Sequence, residues 1–216
     1  MAGIVVAGAC IPRYRLPREV IAKEWGTAAA GGEKAIANHD EDSLTLAVNA
    51  AGALAGDGPP PDAVFFATTT SPYVEKQGAA TIAAVLDLPG TTRTLDFTDT
   101  LRAGTSALLA ALDAVASGSA RRVLIAAGDC RPAEPESAAE QSNGDAGAAV
   151  VVGAEAGCAE VVATHTLADE FLGTWRTHEQ AFPKSFPGAF ETKLGYTRVL
   201  TAAVQGLLEK AGVEPR

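Results

Sequence analysis

The stretch Asp96-Phe-Thr-Asp-Thr-Leu-Arg-Ala-Gly-Thr-Ser-Ala-Leu-Leu-Ala-Ala-Leu112 reads as a strand running through a tight turn into a buried helix. Ala103, Gly104 and Thr105 are small enough to let the helix start lie against neighbouring backbone. The first N–H groups of a helix have no intrahelical partner, so they could stabilise a developing negative charge. Such a turn suits a nucleophile, yet it carries Leu101, which can neither form a thioester nor be activated by a helix dipole. Asp99, two residues earlier, and Tyr73, after an earlier strand, could act as acid or base. Asp99 also reads as a cap on the following helix, and Tyr73 as a pocket wall. Cys130, in Gly128-Asp-Cys130, is either a displaced nucleophile or an ordinary loop or buried thiol.

The elements that must position these residues follow from periodicity and punctuation. Gly3 to Ile11 is a β-branched and small-residue run that predicts a strand buried on both faces. Pro12 to Pro17 ends it, and Arg18 to Trp25 can form a short helix. His39-Asp-Glu-Asp-Ser43 puts acidic and hydroxyl residues at the start of an apolar-periodic helix, Leu44 to Leu54. Strands are expected at Asp62 to Thr69, Thr92 to Phe97, Arg122 to Ala127, Ala146 to Val152 and Ala159 to Thr166. Helices are expected at Ala79 to Leu86 and Ala103 to Ala116, and a polar loop at Arg131 to Ser142. Strands alternating with helices predict an α/β layered domain with a mostly parallel sheet. The final segment from Tyr196 echoes the Leu44 helix, each being amphipathic and closed by Gly and Pro, as in an internal duplication whose second copy has only begun. Two unrelated Ala-rich helices with Gly-Pro ends would look the same.

Composition narrows the classes. The chain has 216 residues, is 47% hydrophobic and 20% charged, and so can bury a full core. A net charge of −9 argues against a nucleic-acid backbone or an anionic membrane as the main partner. Cys10, Cys130 and Cys158 form no close pair and share no metal-ligand spacing with His39, His165 or His178, which predicts free thiols in a reducing compartment, the cytoplasm, and no metal. The apolar N-terminus has no basic region before it and is too short to span a bilayer.

Five segments, in order, carry a resemblance. Gly8-Ala-Cys-Ile-Pro-Arg-Tyr-Arg15 resembles the Gly-Ala-Tyr-Ile-Pro-Arg-Tyr-Arg opening of prokaryotic hydroxymethylglutaryl-CoA synthase-like proteins. Asp40-Glu-Asp-Ser43 resembles their Asp-Glu-Asp-Thr helix start, Ser71-Pro-Tyr73 their His-Pro-Tyr, and Phe171 to Arg176 their Phe-Trp-Arg region. Gly144-Asp-Ala-Gly-Ala-Ala149 resembles the Gly-Asp-Gly-Ala-Gly-Ala segment of ketoacyl synthase III, with Ala146 for the middle glycine. The chain is thus similar to the thiolase superfamily, in its hydroxymethylglutaryl-CoA synthase and ketoacyl synthase III branches, and covers the N-terminal half of such a protein.

The resemblance implies a thiolase-like layered α/β/α fold, with residues 1–195 as the first half of a duplicated fold and 196–216 as the first helix of a second. It implies an acyl-CoA thioester as substrate or ligand and carbon–carbon chemistry beside the thioester carbonyl. Leu101-Arg-Ala-Gly-Thr105 matches the family's Cys-x-Ala-Gly-Thr, with Leu101 at the cysteine, and Thr69 stands where the synthases carry a general acid/base glutamate. The histidine and asparagine that complete the family site belong to the other half. Arg13, Trp25, Arg102 and Arg176, with Arg15 and Lys23, could bind the CoA nucleotide or could be solvated surface. Two functions stand side by side. One is a divergent enzyme without a nucleophilic cysteine, carrying out aldol, retro-aldol or synthase-like chemistry that needs no bond between protein and substrate, with Asp99 or Tyr73 as acid or base, within a hetero-oligomer. The other is a non-catalytic subunit in which Leu101 and Thr69 merely fill space. Implied partners are a second copy, a second-half thiolase-like chain, or an oligosaccharide-binding-fold acyl-CoA-binding protein, since half a duplicated fold would leave apolar faces uncovered.

Overall fold

The computed structural model describes residues 2–186 and 188–214. Its elements are β1 (Gly3–Cys10), β2 (Tyr14–Pro17), α1 (Arg18–Trp25), β3 (Glu33–Ile36), α2 (Ser43–Gly52), β4 (Ala63–Ala67), α3 (Gly78–Val85), β5 (Arg93–Phe97), α4 (Ala103–Ala116), β6 (Arg122–Asp129), α5 (Ala138–Ser142), β7 (Ala146–Gly153) and β8 (Ala159–Glu160). A closing helical run is α-helical over Gly188–Phe190 (α6), π-helical over Glu191–Tyr196 and α-helical again over Thr197–Ala211 (α7). It passes through 195–196 without a break.

Local chemistry explains the helix that supports the site. Asp42 accepts the Thr45 backbone N–H at 2.7 Å while Thr45 Oγ1 accepts the Asp42 N–H at 2.6 Å, a reciprocal cap that starts α2. Asp42→Ala is expected to lower stability by about 1 kcal/mol. Urea unfolding checks this, and an unchanged midpoint would show that the cap is idle.

Six strands form one sheet in the order β5-β4-β6-β7-β1-β8, and β2 pairs with β3 separately. β4 pairs parallel with β5 and β6, but β6–β7, β7–β1 and β1–β8 are antiparallel. The expected mostly parallel sheet is therefore mixed. A parallel neighbour needs a crossover over the sheet, which α3 and α4 supply. Between β6 and β7 the chain has only α5, five residues long, inside the stretch expected to be loop. That helix turns toward the α1 side, where Glu140 accepts the Trp25 indole N–H at 2.9 Å, so β7 returns antiparallel.

Two apolar layers hold the sheet. Val64 and Phe66 of β4 pack with α2 and α3, whereas Ala63, Phe65 and Ala67 pack with α4. β4 is thus buried on both faces, as is β6, whose Leu124 and Ala126 join the first layer and Val123 and Ile125 the second. β1 was expected to be buried in this way, but is mostly half-buried, because its neighbours are β7 and the two-residue β8 near the sheet edge. β8 ends at Glu160 rather than Thr166, since only Gly3 and Ile4 remain for it to pair with.

Contacts divide the chain into two units, residues 1–131 with 136–160, and residues 132–135 with 161–216. The second unit gathers Phe171, Trp175, Phe186 and Phe190, whose successive ring centroids lie 5.5 to 5.8 Å apart, and ties Arg198 to Asp169. The two helices that echo each other in sequence differ in setting. α2 buries six of its residues, whereas none of the fifteen in α7 is buried.

Candidate functional site

β4, β5 and β6 run parallel, so their C-terminal ends, Ala67, Phe97 and Asp129, open on the same edge of the sheet. That edge is where open α/β sheets take ligands. The loops leaving it carry Thr68 to Tyr73 after β4, Thr98 to Arg102 after β5, and Cys130 after β6. The first two are stitched together by the Thr68 N–H, which donates to the Phe97 carbonyl at 3.1 Å.

Asp129 is the hub of this edge. Its Oδ1 accepts from Thr69 N at 2.7 Å and faces the hydroxyls of Thr68, Thr69 and Thr70 at 3.0, 3.0 and 2.9 Å. Thr70 Oγ1 also accepts the Cys130 N–H at 3.0 Å, and the Thr70 carbonyl accepts the Ser43 hydroxyl at 2.6 Å, which ties α2 to the same loop. Thr68 is 2% exposed, whereas Thr69, Thr70 and Asp129 are half-buried.

The β5–α4 turn differs from expectation in one respect. Asp99 does not cap α4. Its φ of 61° turns the chain through the left-handed region, and its carboxylate accepts the Thr98 hydroxyl at 3.1 Å. No side chain caps α4, whose N-cap is Arg102; the turn before it is held by the Thr100 hydroxyl, which accepts the Arg102 N–H at 3.2 Å, and by the Thr100 carbonyl, which accepts the Ala103 N–H at 3.1 Å. Leu101 is 60% exposed in the chain. It does not fill space within the fold, contrary to the expectation attached to the non-catalytic reading.

Tyr73 is 46% exposed and lines a cleft of about 660 Å³ together with Arg13, Tyr14, Asp40, Glu41 and Asp42. Lys76 Nζ stands 4.5 Å from its ring centre. Three carboxylates line this cleft with the Arg13 guanidinium, which does not favour a polyanion there. Arg102 sits exposed at the α4 start, and Trp25 is held by Glu140 in the α1–α5 layer. Arg176 belongs to the second unit, beside Trp175, whose backbone pairs with Lys184. The structure therefore brings Arg13 to Tyr73, and joins the Thr69–Tyr73 loop to the turn carrying Asp99, Leu101 and Arg102. It leaves Trp25 in a different layer.

The surroundings of Cys130 disfavour its thiolate, the form a displaced nucleophile would need. Burial, then the negative charges of Asp145, Asp42, Asp129 and Glu41, push its thiol up to about 12. The residue that the sequence reading missed is Asp129. Three consecutive threonines ending a strand were a signal, but only the pairing of β4 with β6 shows which carboxylate they meet. Among the described residues no group of His, Cys, Asp and Glu could hold a metal ion, and no helix is long and apolar enough to cross a membrane.

No protein-family model matches the chain. It is similar to the hydroxymethylglutaryl-CoA synthase of Aeropyrum pernix, with 34% identity over 99% of this chain and 62% of that protein. The synthase of Methanocella arvoryzae is 30% identical over 99% of this chain and 64% of its own length. Among solved structures, an HMG-CoA synthase complexed with CoA superposes with a TM-score of 0.87 at 22% identity, covering 99% of this chain and 57% of that one. The chain has a thiolase-like fold. A 3-oxoacyl-[acyl-carrier-protein] synthase III from Aquifex aeolicus shares it, with a TM-score of 0.84 at 24% identity over 100% of this chain and 73% of that one. This thiolase-like chain spans a little under two thirds of the length of the curated relatives it matches.

Proposed function

We propose that this chain holds an acyl-CoA thioester without attaching it to itself, and serves carbon–carbon bond making or breaking beside the thioester carbonyl. The observation that carries the reading is Leu101, an exposed apolar side chain on the β5–α4 turn, where the family resemblance places the acylated cysteine. The relatives' names point to the ligand: one solved neighbour is complexed with CoA and another with 3-hydroxy-3-methylglutaryl coenzyme A. Without an acyl-enzyme, an aldol-type step needs a group that takes the proton next to the carbonyl and a donor for the oxygen that gains charge. Asp99 and Tyr73 are titratable side chains on the two loops of the site edge and are proposed for these tasks, with Arg13, Trp25, Arg102 and Arg176 for the nucleotide. Val74, Leu95 and Leu101 are exposed apolar side chains in the first unit and support work in an assembly, with a second copy, a second-half thiolase-like chain or an oligosaccharide-binding-fold acyl-CoA-binding protein. The free thiols suit the cytoplasm.

A second reading, a non-catalytic subunit that stabilises an active partner, is favoured by Thr69, a hydroxyl at the position of the family's glutamate. Two measurements test these readings, the first their shared lack of an acyl-enzyme and the second the choice between them. Incubated with acetyl-CoA or acetoacetyl-CoA, the protein is expected to show no acyl gain in intact mass. A stable gain of one acyl group, lost in Cys130→Ala, would restore covalent catalysis. Calorimetry at two salt concentrations is expected to detect CoA-thioester binding that weakens with salt, as phosphate contacts do. Undetectable binding, alone or with a natural partner, would leave the structural subunit.

A further inference from the structure

We infer that the cleft lined by α2, α3 and Tyr73 is a docking surface for a partner protein, and that its occupant is a segment carrying a lysine or arginine beside apolar residues. The inference rests on the assembly reading above and names the chemistry of the partner. At about 660 Å³ the cleft falls within the range of about 300–1,000 Å³ that ligand clefts occupy. Leu44 and Val48 of α2 and Val85 of α3 give it an apolar lining, and Val85 is 60% exposed. Tyr14 and Tyr73 add two exposed aromatic rings. At the α2 start, Asp40, Glu41 and Asp42 set three formal negative charges against the one positive charge of Arg13. Among the described residues no salt bridge joins any of the three carboxylates to a cation.

Apolar walls beside carboxylates match the shape of lysine and arginine, whose alkyl stems lie on apolar surface while the charged head reaches an anion. The other occupants fit worse. An acidic segment meets like charge, a wholly apolar one desolvates carboxylates with no counter-charge, and a second copy brings a net charge of −9 against the same charge. Two of the carboxylates are fixed before anything binds. Glu41 accepts the Asn38 N–H at 2.8 Å and Asp42 the Thr45 N–H at 2.7 Å, and a carboxylate has further lone pairs for an ammonium or guanidinium. The aromatic wall has a cation from the chain itself beside it, since Lys76 Nζ stands 4.5 Å from the Tyr73 ring centre. Tyr73 lies on the loop leaving β4, so an occupant seated against it borders the sheet edge proposed for the acyl-CoA. A cleft of this size takes only a few side chains, which suits a transient contact.

Fluorescence anisotropy of a labelled leucine/lysine amphipathic peptide tests the cleft on the full chain. The peptide is expected to bind, its leucine/glutamate counterpart not to bind, and hydrogen-exchange protection to fall on residues 38–49 and 73–85. Asp40→Lys combined with Glu41→Lys is expected to weaken binding about tenfold or more, whereas Asp113→Lys, a charge reversal at an exposed position of α4, changes it less than about twofold. Val85→Ser leaves the carboxylates in place and is expected to weaken binding about fivefold through the lost apolar contact, which keeps the test open should the double reversal disturb α2. Binding that is equal in the double reversal, or equal for the leucine/glutamate peptide, overturns the inference. So does octylamine that displaces the lysine peptide at the peptide's own concentration, which would make the cleft a site for a small cation. Sedimentation separates the two readings. Assembly of the chain without peptide binding leaves the assembly reading intact and overturns this docking surface, and no assembly, alone or with a natural partner, removes both.

Discussion

Gly128→Ala is expected to destabilise the chain by about 3 kcal/mol or more, with Gly147→Ala close behind, because a side chain at either position has backbone in its way. A Cβ on Gly128 would overlap the Ser43 carbonyl oxygen and stand 3.0 Å from the Ser43 carbonyl carbon and 3.2 Å from Ala47 N. One on Gly147 would overlap the Leu46 carbonyl and stand 3.1 Å from Ala47 N. Both glycines let α2 rest directly on β6 and β7. No flexible side-chain end can yield there, and pushing α2 outward would also break the Ser43 bond to the Thr70 carbonyl. The shift in denaturant midpoint measures the effect. A change under about 0.5 kcal/mol, the range of ordinary surface substitutions, would mean that α2 is not seated as described.

The second large effect concerns Cys130. With its thiol pushed from 9.0 to about 12, its thiolate at pH 8 should be about 1000-fold scarcer in the folded chain than in the unfolded one. A thiol reagent should therefore label the exposed Cys158 first, and Cys130 last or only with denaturant, as peptide mass mapping would show. Labelling of Cys130 at pH 8 as fast as Cys158 would overturn this account. The same shift has a stability consequence of definite sign. The folded chain holds this proton more tightly than the unfolded chain, so the contribution is complete below about pH 9. It is lost as pH rises toward 12, where the unfolded thiol has ionised and the folded one has not. Cys130→Ala should flatten that part of the pH profile.

Much of the site was legible one element at a time. The turn at Leu101, the helix from Ala103 to Ala116 and the α2 start at Asp42 and Ser43 all lie where residue types and periodicity placed them. Each depends on neighbours within a few residues, through caps and apolar spacing. The fate of individual side chains was less legible. Asp99 looked like a cap, yet its left-handed backbone leaves its carboxylate with the Thr98 hydroxyl, and a backbone dihedral of this kind leaves little trace when the residue is not glycine. The partner of Thr69 could not be read at all, since Asp129, which β6 sets beside it, lies sixty positions away along the chain.

What the sequence by itself determined is the alternation of strands and helices, the apolar and acidic balance, and the lack of a thiol at the β5–α4 turn. These are properties of residue type and of spacings shorter than one element. The tertiary structure alone decided which strand is central, that the sheet is mixed, that Trp25 is held in the α1–α5 layer, and that three threonines share one carboxylate. Strand order and partner choice depend on which connections cross the sheet, and that competition among distant segments is written in no single stretch of the chain.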